Sequence, residues 1–266
     1  MNKEQLIALF NKEQRIDQTI AGFRREEEGG MIRQVSLTGG EGYVTYSALT
    51  NEAVQHAINE QLSYFEQLDQ RFEWKLYDYD QPANLKDKLL EHGFTIGDPE
   101  GLLVMQLTEG DFMLSCEIPS SIIRITDEAG ISDIVSLEEE IWGESHRELG
   151  EELIRNLKND PDSLFIYAAY EEGKAVSAAW MYLHNGTSFG SLWGGSTLSV
   201  YRNKGLYTSL LAVRAQAAWE NGFRLLTVDA SPMSLPILKK RGFDLLAYSY
   251  PCVSPSKEER KEIAFE

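Results

Sequence analysis

The sequence predicts an α/β fold of the α+β type, in which a mixed, mostly antiparallel sheet is flanked by helices. Helical and strand-like segments alternate along all 266 residues. Strand-like segments between residues 164 and 200 are joined by the tight turns Glu172-Gly173 and Asn185-Gly186, which is typical of an antiparallel meander. The hydrophobic fraction of 42% is enough for a packed core.

The first half of the chain begins with apolar residues at helical spacing. Residues 6–23 are predicted to form a helix, and the charged residues from Arg24 to Glu28 are interpreted as its solvent-exposed end. The other predicted elements before residue 117 are strands at 34–37 and 42–46, a helix from Asn51 to about Asp69, a strand at 72–79, a helix at 85–91, and strands at 94–96 and 102–107.

The second half begins after Pro119 and has a similar alternation. Its predicted elements are a strand at 122–125, helices at 131–142 and 149–157, strands at 164–170, 175–184 and 187–200, a helix at 207–221, a strand at 224–230, a helix at 235–241 and strands within 244–253. The charged tail from Lys257 is interpreted as the last, frayed helix.

The two halves resemble each other. A shift of 149 residues places Gly93-Phe94 on Gly242-Phe243 and Tyr79-Asp80 on Val228-Asp229. Both halves then contain a helix, a strand, a second helix, Gly-Phe and a strand. The pattern predicts two domains, residues 1–117 and 118–266, although two ordinary α/β segments can also agree by chance.

Composition excludes several classes of protein. With 42 acidic and 25 basic residues, the formal net charge is −17, which disfavours binding to a nucleic acid backbone. Two cysteines and four scattered histidines predict neither a disulfide framework nor a metal site. No apolar run approaches 18 residues, so we expect no membrane segment and a cytoplasmic protein.

A glycine loop between a strand and a helix is the chain's main candidate site. Arg202, Lys204 and Gly205 follow the last strand of the meander, and a helix begins directly after them. Free N–H groups and the helix dipole at such a junction favour an anion, and Gly205 permits close approach of the backbone. The loop therefore predicts a phosphate site, with a simple packing bend as the alternative.

The charges around this loop support a phosphate site. None of the 46 residues from Lys174 to Trp219 is acidic, whereas even spacing of the 42 acidic residues would place about seven there. A buried core would exclude acidic residues in the same way, and this alternative stays open. Arg202 and Lys204 lie in the loop, outside the apolar runs, which favours a local positive field.

The order of motifs in the second half resembles the GNAT superfamily of N-acetyltransferases over about residues 120–253. The resemblance rests on Arg202-x-x-Gly205-x-Tyr207, the helix after it, the strand 225–229 and the closing Gly242-Phe243. In that superfamily the loop reads Q/R-x-x-G-x-G/A, so Tyr207 departs from the pattern. The first half resembles a partial, degenerate copy, because the shift places Ala53 and His56 where Arg202 and Gly205 lie.

The resemblance implies acetyl-coenzyme A as cofactor. Backbone N–H groups from Lys204 to Thr208 would hold its pyrophosphate, residues 198–200 would pair with the pantetheine arm, and Gly194-Gly195 would form a bulge that opens the strand edge. The residues implied in cofactor binding are Leu198, Ser199, Val200, Arg202, Asn203, Lys204, Gly205, Leu206, Tyr207 and Thr208.

The acceptor region is less defined. The resemblance places it under the helices at 131–157, and the acceptor-site candidates are Trp142, Glu144, Trp193 and Asp229. Each is also an ordinary packing aromatic or surface charge, and Asp229 is also a possible turn or helix-capping residue. The oligomeric state and the identity of the acceptor stay open.

Catalytic residues are not identified. Many relatives place a proton-donating tyrosine where this chain has Leu238, which cannot donate a proton, and Tyr207, Tyr248, Tyr250 and Cys252 stay open as substitutes. The resemblance implies transfer of an acyl group, acetyl above all, to a primary amine of a small molecule or peptide by direct attack. The alternative is a coenzyme A-binding sensor or interaction module without turnover.

Overall fold

The computed structural model describes residues 1–20 and 22–263. The chain forms two compact units. The first comprises Met1–Leu103 together with the chain from Asp229 onward, and the second comprises Val104–Val228. None of the helices in the described ranges combines the length and the apolar character that crossing a membrane requires.

The first 117 residues contain four α-helices and six strands within the described ranges. In chain order they are α1 (Lys3–Phe10), β1 (Phe23–Glu28), β2 (Met31–Ser36), β3 (Gly42–Ser47), α2 (Val54–Gln67), β4 (Phe72–Tyr77), α3 (Leu85–Glu91), β5 (Thr95–Ile96), β6 (Glu100–Gln106) and α4 (Phe112–Ser115). A π-helical segment, Asn11–Ile16, continues α1.

The remainder of the chain carries the meander and the glycine loop. Its elements are β7 (Ile122–Ile125), α5 (Glu128–Trp142), α6 (Arg147–Asn159), β8 (Leu164–Glu171), β9 (Lys174–Leu183), β10 (Phe189–Thr197), α7 (Leu206–Glu220), β11 (Leu225–Ala230), α8 (Leu235–Lys240), β12 (Asp244–Val253) and α9 (Lys257–Ile263). These elements confirm the predicted α/β class and its antiparallel meander.

The first unit is built on strands in the order β1-β2-β3-β4-β12-β6. Strands β3 and β4 run parallel and are connected by α2, whereas β1-β2, β2-β3 and β4-β12 are antiparallel. The core includes Phe65 and Phe72, whose rings stack with centroids 4.4 Å apart, and Cys252 of β12. The last long strand of the chain therefore completes the core of the first unit.

The second unit has strands in the order β6-β11-β10-β9-β8-β7. Strands β7 to β10 form the antiparallel meander, and β10 runs parallel to β11, to which α7 connects it. Each unit therefore contains one parallel strand pair joined by a helix. This likeness supports the two-copy interpretation, which stays a prediction.

Several boundaries differ from the sequence-based expectations. The helix predicted over residues 6–23 ends with the π-helical segment at Ile16, and Phe23 begins β1. Residues 24–28, interpreted as a helix end, lie in β1, where Glu26 and Glu28 pair with Arg33 of β2. The two compact units divide within β6 and β11, because β12 pairs with β4, and the two predicted domains, residues 1–117 and 118–266, stay a prediction. Strand β10 ends at Thr197, so residues 198–200 are not part of a strand.

Leu238 of α8 provides a test of the packing in the first unit. Its side chain is 2% exposed, which confirms the expected burial, whereas its neighbour Ile237 is 44% exposed. We expect Leu238→Ala to lower the free energy of unfolding by about 2–5 kcal/mol, the usual cost of a core truncation. Ile237→Ala should cost about 1 kcal/mol or less.

Urea titration of the full chain measures both variants. Equal losses for Leu238→Ala and Ile237→Ala would contradict the assignment of Leu238 to the core.

Candidate functional site

The candidate site begins where β10 separates from β11. The two strands pair only over Phe189–Ser191 and Leu225–Thr227, although β10 continues to Thr197. The register of β10 against β9 shifts between Gly194 and Ser196, which marks a β-bulge. Beyond Ser191, β10 therefore has one edge that β11 does not cover.

Two glycines make this bulge possible. Gly194 and Gly195 have φ angles of 69° and 100°, a region that residues with side chains rarely adopt. A Cβ at Gly194 would overlap the ring of Trp180, and one at Gly195 would lie 3.0 Å from the ring of Tyr207. The predicted bulge at Gly194-Gly195 is confirmed.

A buried arginine lies beside the bulge. Arg214 of α7 is 3% exposed and donates from Nη1 to the carbonyl oxygens of Trp180 and Trp193, at 3.1 and 3.2 Å. Its Nε donates to Leu210 O at 2.9 Å. Burial lowers the pKa of Arg214 to about 10, so it stays charged at neutral pH. The guanidinium therefore ties α7 to both strands of the bulge.

The predicted cofactor loop is compact. Leu198 is buried and its N–H donates to Val176 O, and Ser199–Tyr201 form a single 3₁₀ turn. Because β10 ends at Thr197 and Ser199–Tyr201 form this turn, residues 198–200 do not continue the strand edge of β10, and their part in cofactor binding stays a prediction. The uncovered stretch of β10 lies earlier, between Leu192 and Thr197.

The end of the loop forms the start of α7. Asn203 and Gly205 have φ angles of 61° and 86°, and Gly205 is the N-cap of the helix. The N–H groups of its first turn, from Leu206 to Thr208, have no intrahelical acceptor. No side chain of the described residues caps this end of α7. Gly205 and the start of α7 therefore lie at the positions that the sequence predicts.

Both loop cations lie near this terminus. Arg202 Nε donates to Thr197 O at 3.2 Å, and Lys204 Nζ lies 4.5 Å from the centre of the Tyr201 ring. In the described part of the chain, neither cation forms an ion pair with a carboxylate of the protein. Both positive charges are therefore available to an anion at the first turn of α7.

The four acceptor-site candidates have different surroundings. Trp142 and Trp193 of the second unit are 57% and 55% exposed. Glu144 is exposed in the turn between α5 and α6. Asp229 belongs to the first unit, where it pairs with Lys75 at 3.1 Å and accepts from Ser249 Oγ at 3.4 Å.

Asp229 therefore has an internal partner. Lys75 also contacts Glu100 at 3.0 Å. Burial lowers the pKa of Lys75, but attraction to Asp229 and Glu100 outweighs burial, and the pKa is raised overall. This ion pair accounts for the charge of Asp229 without a ligand.

Glu138 is a buried acidic residue that the sequence prediction missed. Its Oε2 accepts from Trp142 Nε1 at 2.9 Å and from Ser196 Oγ at 2.8 Å. The signal was its spacing, because Glu138 follows the buried Ile131 and Ile134 at seven and four residues, on the apolar face of α5. A carboxylate at such a position requires polar partners.

The candidate site lies in a part of the chain that is similar to a known family. Residues 131–243 match the model of the acetyltransferase (GNAT) family, which is less than half of the chain. The match includes most of α5, the bulge, the glycine loop and α7. Residues 131–243 are therefore similar to the acetyltransferase (GNAT) family. The search of curated proteins finds no match.

Solved structures extend the likeness in fold to most of the chain. A GCN5-related N-acetyltransferase from Kribbella flavida is 16% identical, with 95% of this chain and 94% of that chain covered at a TM-score of 0.64. A functionally unknown conserved protein from Staphylococcus epidermidis is 13% identical, with 90% of this chain and 96% of that chain covered at a TM-score of 0.63. A tandem GNAT protein from the clavulanic acid biosynthesis pathway is 12% identical, with 89% and 84% covered at 0.58.

These likenesses confirm the GNAT fold, and the departure at Tyr207 has a packing explanation within it. The ring of Tyr207 lies beside the backbone of Gly195, where any side chain at that glycine would meet it. Burial raises the pKa of Tyr207 above its usual value. The large side chain of Tyr207 therefore fits in the loop because Gly195 of the bulge has no side chain.

Two positions of the first unit are poor places for a proton donor, and Tyr248 and Tyr250 stay open as candidates. Leu238, at the position of the GNAT tyrosine, is buried and apolar. Burial raises the pKa of the Cys252 thiol to about 12, so this thiol stays protonated and unreactive at neutral pH. Tyr248 is 37% exposed.

Trp193 is held by a short chain of hydrogen bonds. Its Nε1 donates to Ser191 Oγ at 3.0 Å, and Ser191 Oγ lies 2.7 Å from His184 Nε2. Because Ser191 Oγ accepts from Trp193, its own proton is free to go to His184. Burial lowers the pKa of His184 from 6.5 to about 4, so the ring is neutral and can accept this proton.

The neutral His184 makes the fold sensitive to acid. In the unfolded chain His184 is protonated below about pH 6.5, whereas in the folded chain it is protonated only near pH 4. The neutral ring's contribution to the free energy of unfolding is therefore complete above pH 6.5 and is lost as the pH falls toward 4. The free energy of unfolding should decrease by about 2 kcal/mol between pH 7.5 and pH 5 from this group.

Urea titrations of the wild type and His184→Gln at both pH values measure this effect. The variant should lose about 2 kcal/mol less than the wild type across the interval. An identical decrease in the two proteins would contradict a neutral, buried His184.

Proposed function

We propose that the chain is an acyl-coenzyme A-dependent N-acyltransferase that transfers an acetyl group from acetyl-coenzyme A to a primary amine. The observation that carries the proposal is the combination of an uncovered, bulged β10 with a basic glycine loop that ends at the uncapped start of α7. The match of residues 131–243 to the acetyltransferase family supports it.

The loop fits the pyrophosphate of coenzyme A. The N–H groups of Leu206, Tyr207 and Thr208 start α7, and the helix dipole favours negative charge there. Arg202 and Lys204 add two positive charges in a protein of net charge −17. Asn203 and Gly205 supply the left-handed backbone that turns these donors toward one point.

The uncovered edge of β10 fits the amide-bearing arm of the cofactor. An extended chain with amide groups can pair with a strand edge as an additional strand does. We propose that this pairing involves the stretch from Leu192 to Thr197, after the last pair with β11. Arg214 fixes this stretch through the Trp193 carbonyl.

Acetyl-coenzyme A would supply an activated thioester acyl group. The chain's own contribution is to hold the thioester and the amine in one orientation. Such positioning lowers the activation free energy by at most about 7–11 kcal/mol. The register shift between Gly194 and Ser196 interrupts the regular pairing with β9, and we propose that an N–H group of this bulge polarises the acyl carbonyl. The proposed acceptor is a primary amine of a small molecule or peptide and not a nucleic acid.

A second candidate function is coenzyme A binding without turnover, as in a sensor or interaction module. The burial of Leu238 at the position of the usual tyrosine favours it, because the residue cannot act as an acid. Release of free thiol from acetyl-coenzyme A in the presence of an amine panel distinguishes the two functions. Thiol release above the rate without protein supports the transferase, and binding without release supports the sensor.

Gly205 tests the location of the phosphate. We expect Gly205→Ala to weaken coenzyme A binding at least tenfold, or about 1.4 kcal/mol, because the φ of 86° is strained for alanine and the turn must change. Titration calorimetry of the full chain with coenzyme A measures the dissociation constant.

Gly222 is the matched control at the other end of α7. Its φ is 87°, and a Cβ at either glycine would meet no atom within 4 Å. Gly222→Ala therefore carries the same backbone strain away from the loop and should leave the affinity unchanged. Equal affinities in the two variants would place the phosphate elsewhere.

We also expect one coenzyme A per chain. In the first unit, α2 begins after Ala53 without a glycine or a basic residue in the preceding turn, which supports the proposal of a degenerate first copy and a complete second copy. At 100 times its dissociation constant the ligand should stabilise the folded chain by about 2.7 kcal/mol. A calorimetric stoichiometry of two would show that the first copy also binds.

A further inference from the structure

The buried carboxylate of Glu138 has one oxygen without a partner. The residue is 4% exposed, and both hydrogen bonds that it accepts end on Oε2. Oε1 is buried and accepts no hydrogen bond from any described residue. Leaving a buried carboxylate oxygen without a donor costs free energy, so the arrangement favours a ligand that supplies one.

Glu138 also lacks a counter-charge. The other acidic residues of α5 include Glu128 and Glu140, which pair with Lys158 and Lys174 at 2.6 Å. In the ranges that the structure describes, no lysine, arginine or histidine forms an ion pair with Glu138, and its two donors are the neutral groups of Trp142 and Ser196. A buried carboxylate with neutral donors attracts a cation strongly, because little solvent screens it.

The surroundings of Glu138 fit a cationic ligand next to the acyl-transfer region. Ser196 follows directly after the β10 bulge, so its hydrogen bond places the Glu138 carboxylate beside the strand that the proposed cofactor would pair with. Trp142 contacts the same carboxylate and exposes 57% of its surface. An exposed indole next to a carboxylate is a favourable wall for an ammonium group, since the aromatic face also attracts cations.

We propose that Glu138 recognises the ammonium group of the amine acceptor, with Oε1 as hydrogen-bond acceptor and the indole of Trp142 as the wall of the subsite. The proposal rests on the proposed function, because it assigns the acceptor side of the same site. Because Oε1 is buried, the ammonium group reaches it only when the exposed Trp142 side chain moves aside. The subsite selects primary amines with a ring or an alkyl chain beside the charged group and rejects the corresponding alcohols.

The test compares amines with uncharged analogues on the full chain saturated with coenzyme A. The probes are phenethylamine against 2-phenylethanol, glucosamine against glucose, and spermidine. We expect at least one amine to bind, and to bind at least tenfold more tightly than its analogue where it has one. In Glu138→Gln, whose amide keeps the shape of the side chain, the affinity for that amine should fall at least tenfold, with unchanged affinity for coenzyme A.

Glu140→Gln is the matched control. It removes the same charge from the same helix at an exposed position, so it should leave amine binding unchanged. Wild-type amine affinity in Glu138→Gln would overturn the proposal, and so would a panel in which no amine binds more tightly than its analogue. Lower stability with unchanged amine affinity would show that Glu138 only fastens α5 to β10.

A second measurement covers the case in which Glu138→Gln does not fold. The indole of Trp142 should report the ligand, so binding of the amine should change the intrinsic fluorescence of the wild type. This change should be absent in Trp142→Phe, and its persistence there would overturn the proposal. Calorimetry with coenzyme A alone separates the two proposals, because loss of cofactor binding refutes the proposed function whatever the amine result.

Discussion

The second unit depends on one constraint, which is that β10 must separate from β11 without leaving its backbone unsatisfied. Arg214 meets this requirement from α7 through hydrogen bonds to the carbonyl oxygens of Trp180 and Trp193. The guanidinium is suited to this task because it carries several donors in a fixed plane and no acceptor. The cost is a buried charge, visible in the lowered pKa of Arg214. The bulge, the start of α7 and the surroundings of Glu138 all follow from the path that β10 takes after this point.

The same region shows how a departure from a family pattern can be compensated. Tyr207 replaces a small residue in the glycine loop, and its ring lies against Gly195, which has no side chain. The tyrosine ring fills the space that a side chain at position 195 would occupy, so the loop and the bulge stay in contact. It also removes a flexible position from the loop, because a half-buried tyrosine packed against the bulge has less freedom than glycine, which has the widest backbone freedom.

Local features of the fold and the site were predictable from the sequence, whereas long-range ones were not. The glycine loop, the bulge glycines and the meander turns depend on the conformations of a few adjacent residues. The charged strand β1 was misassigned because its stability comes from β2, where Arg33 pairs with Glu26 and Glu28. Glu138 was missed because the acidic residues around it lie on the exposed face of the same helix. The sequence predicts that the strand before the loop extends to Val200, whereas β10 ends at Thr197, because Ser199–Tyr201 turn away in a 3₁₀ conformation that the apolar pattern does not reveal.

The pairing of β12 with β4 has a consequence for the order in which the protein forms during synthesis. Residues 249–253 pair with residues 73–77, and Cys252 lies in the core of the first unit. The ribosome must therefore release the chain as far as residue 253 before the first unit has its full set of strands. Until then the edge of β4 lacks its neighbour, and exposed strand edges are the sites at which nascent chains associate wrongly. The second unit, whose residues are contiguous, has no such delay, so the unit that begins first in the chain is completed last.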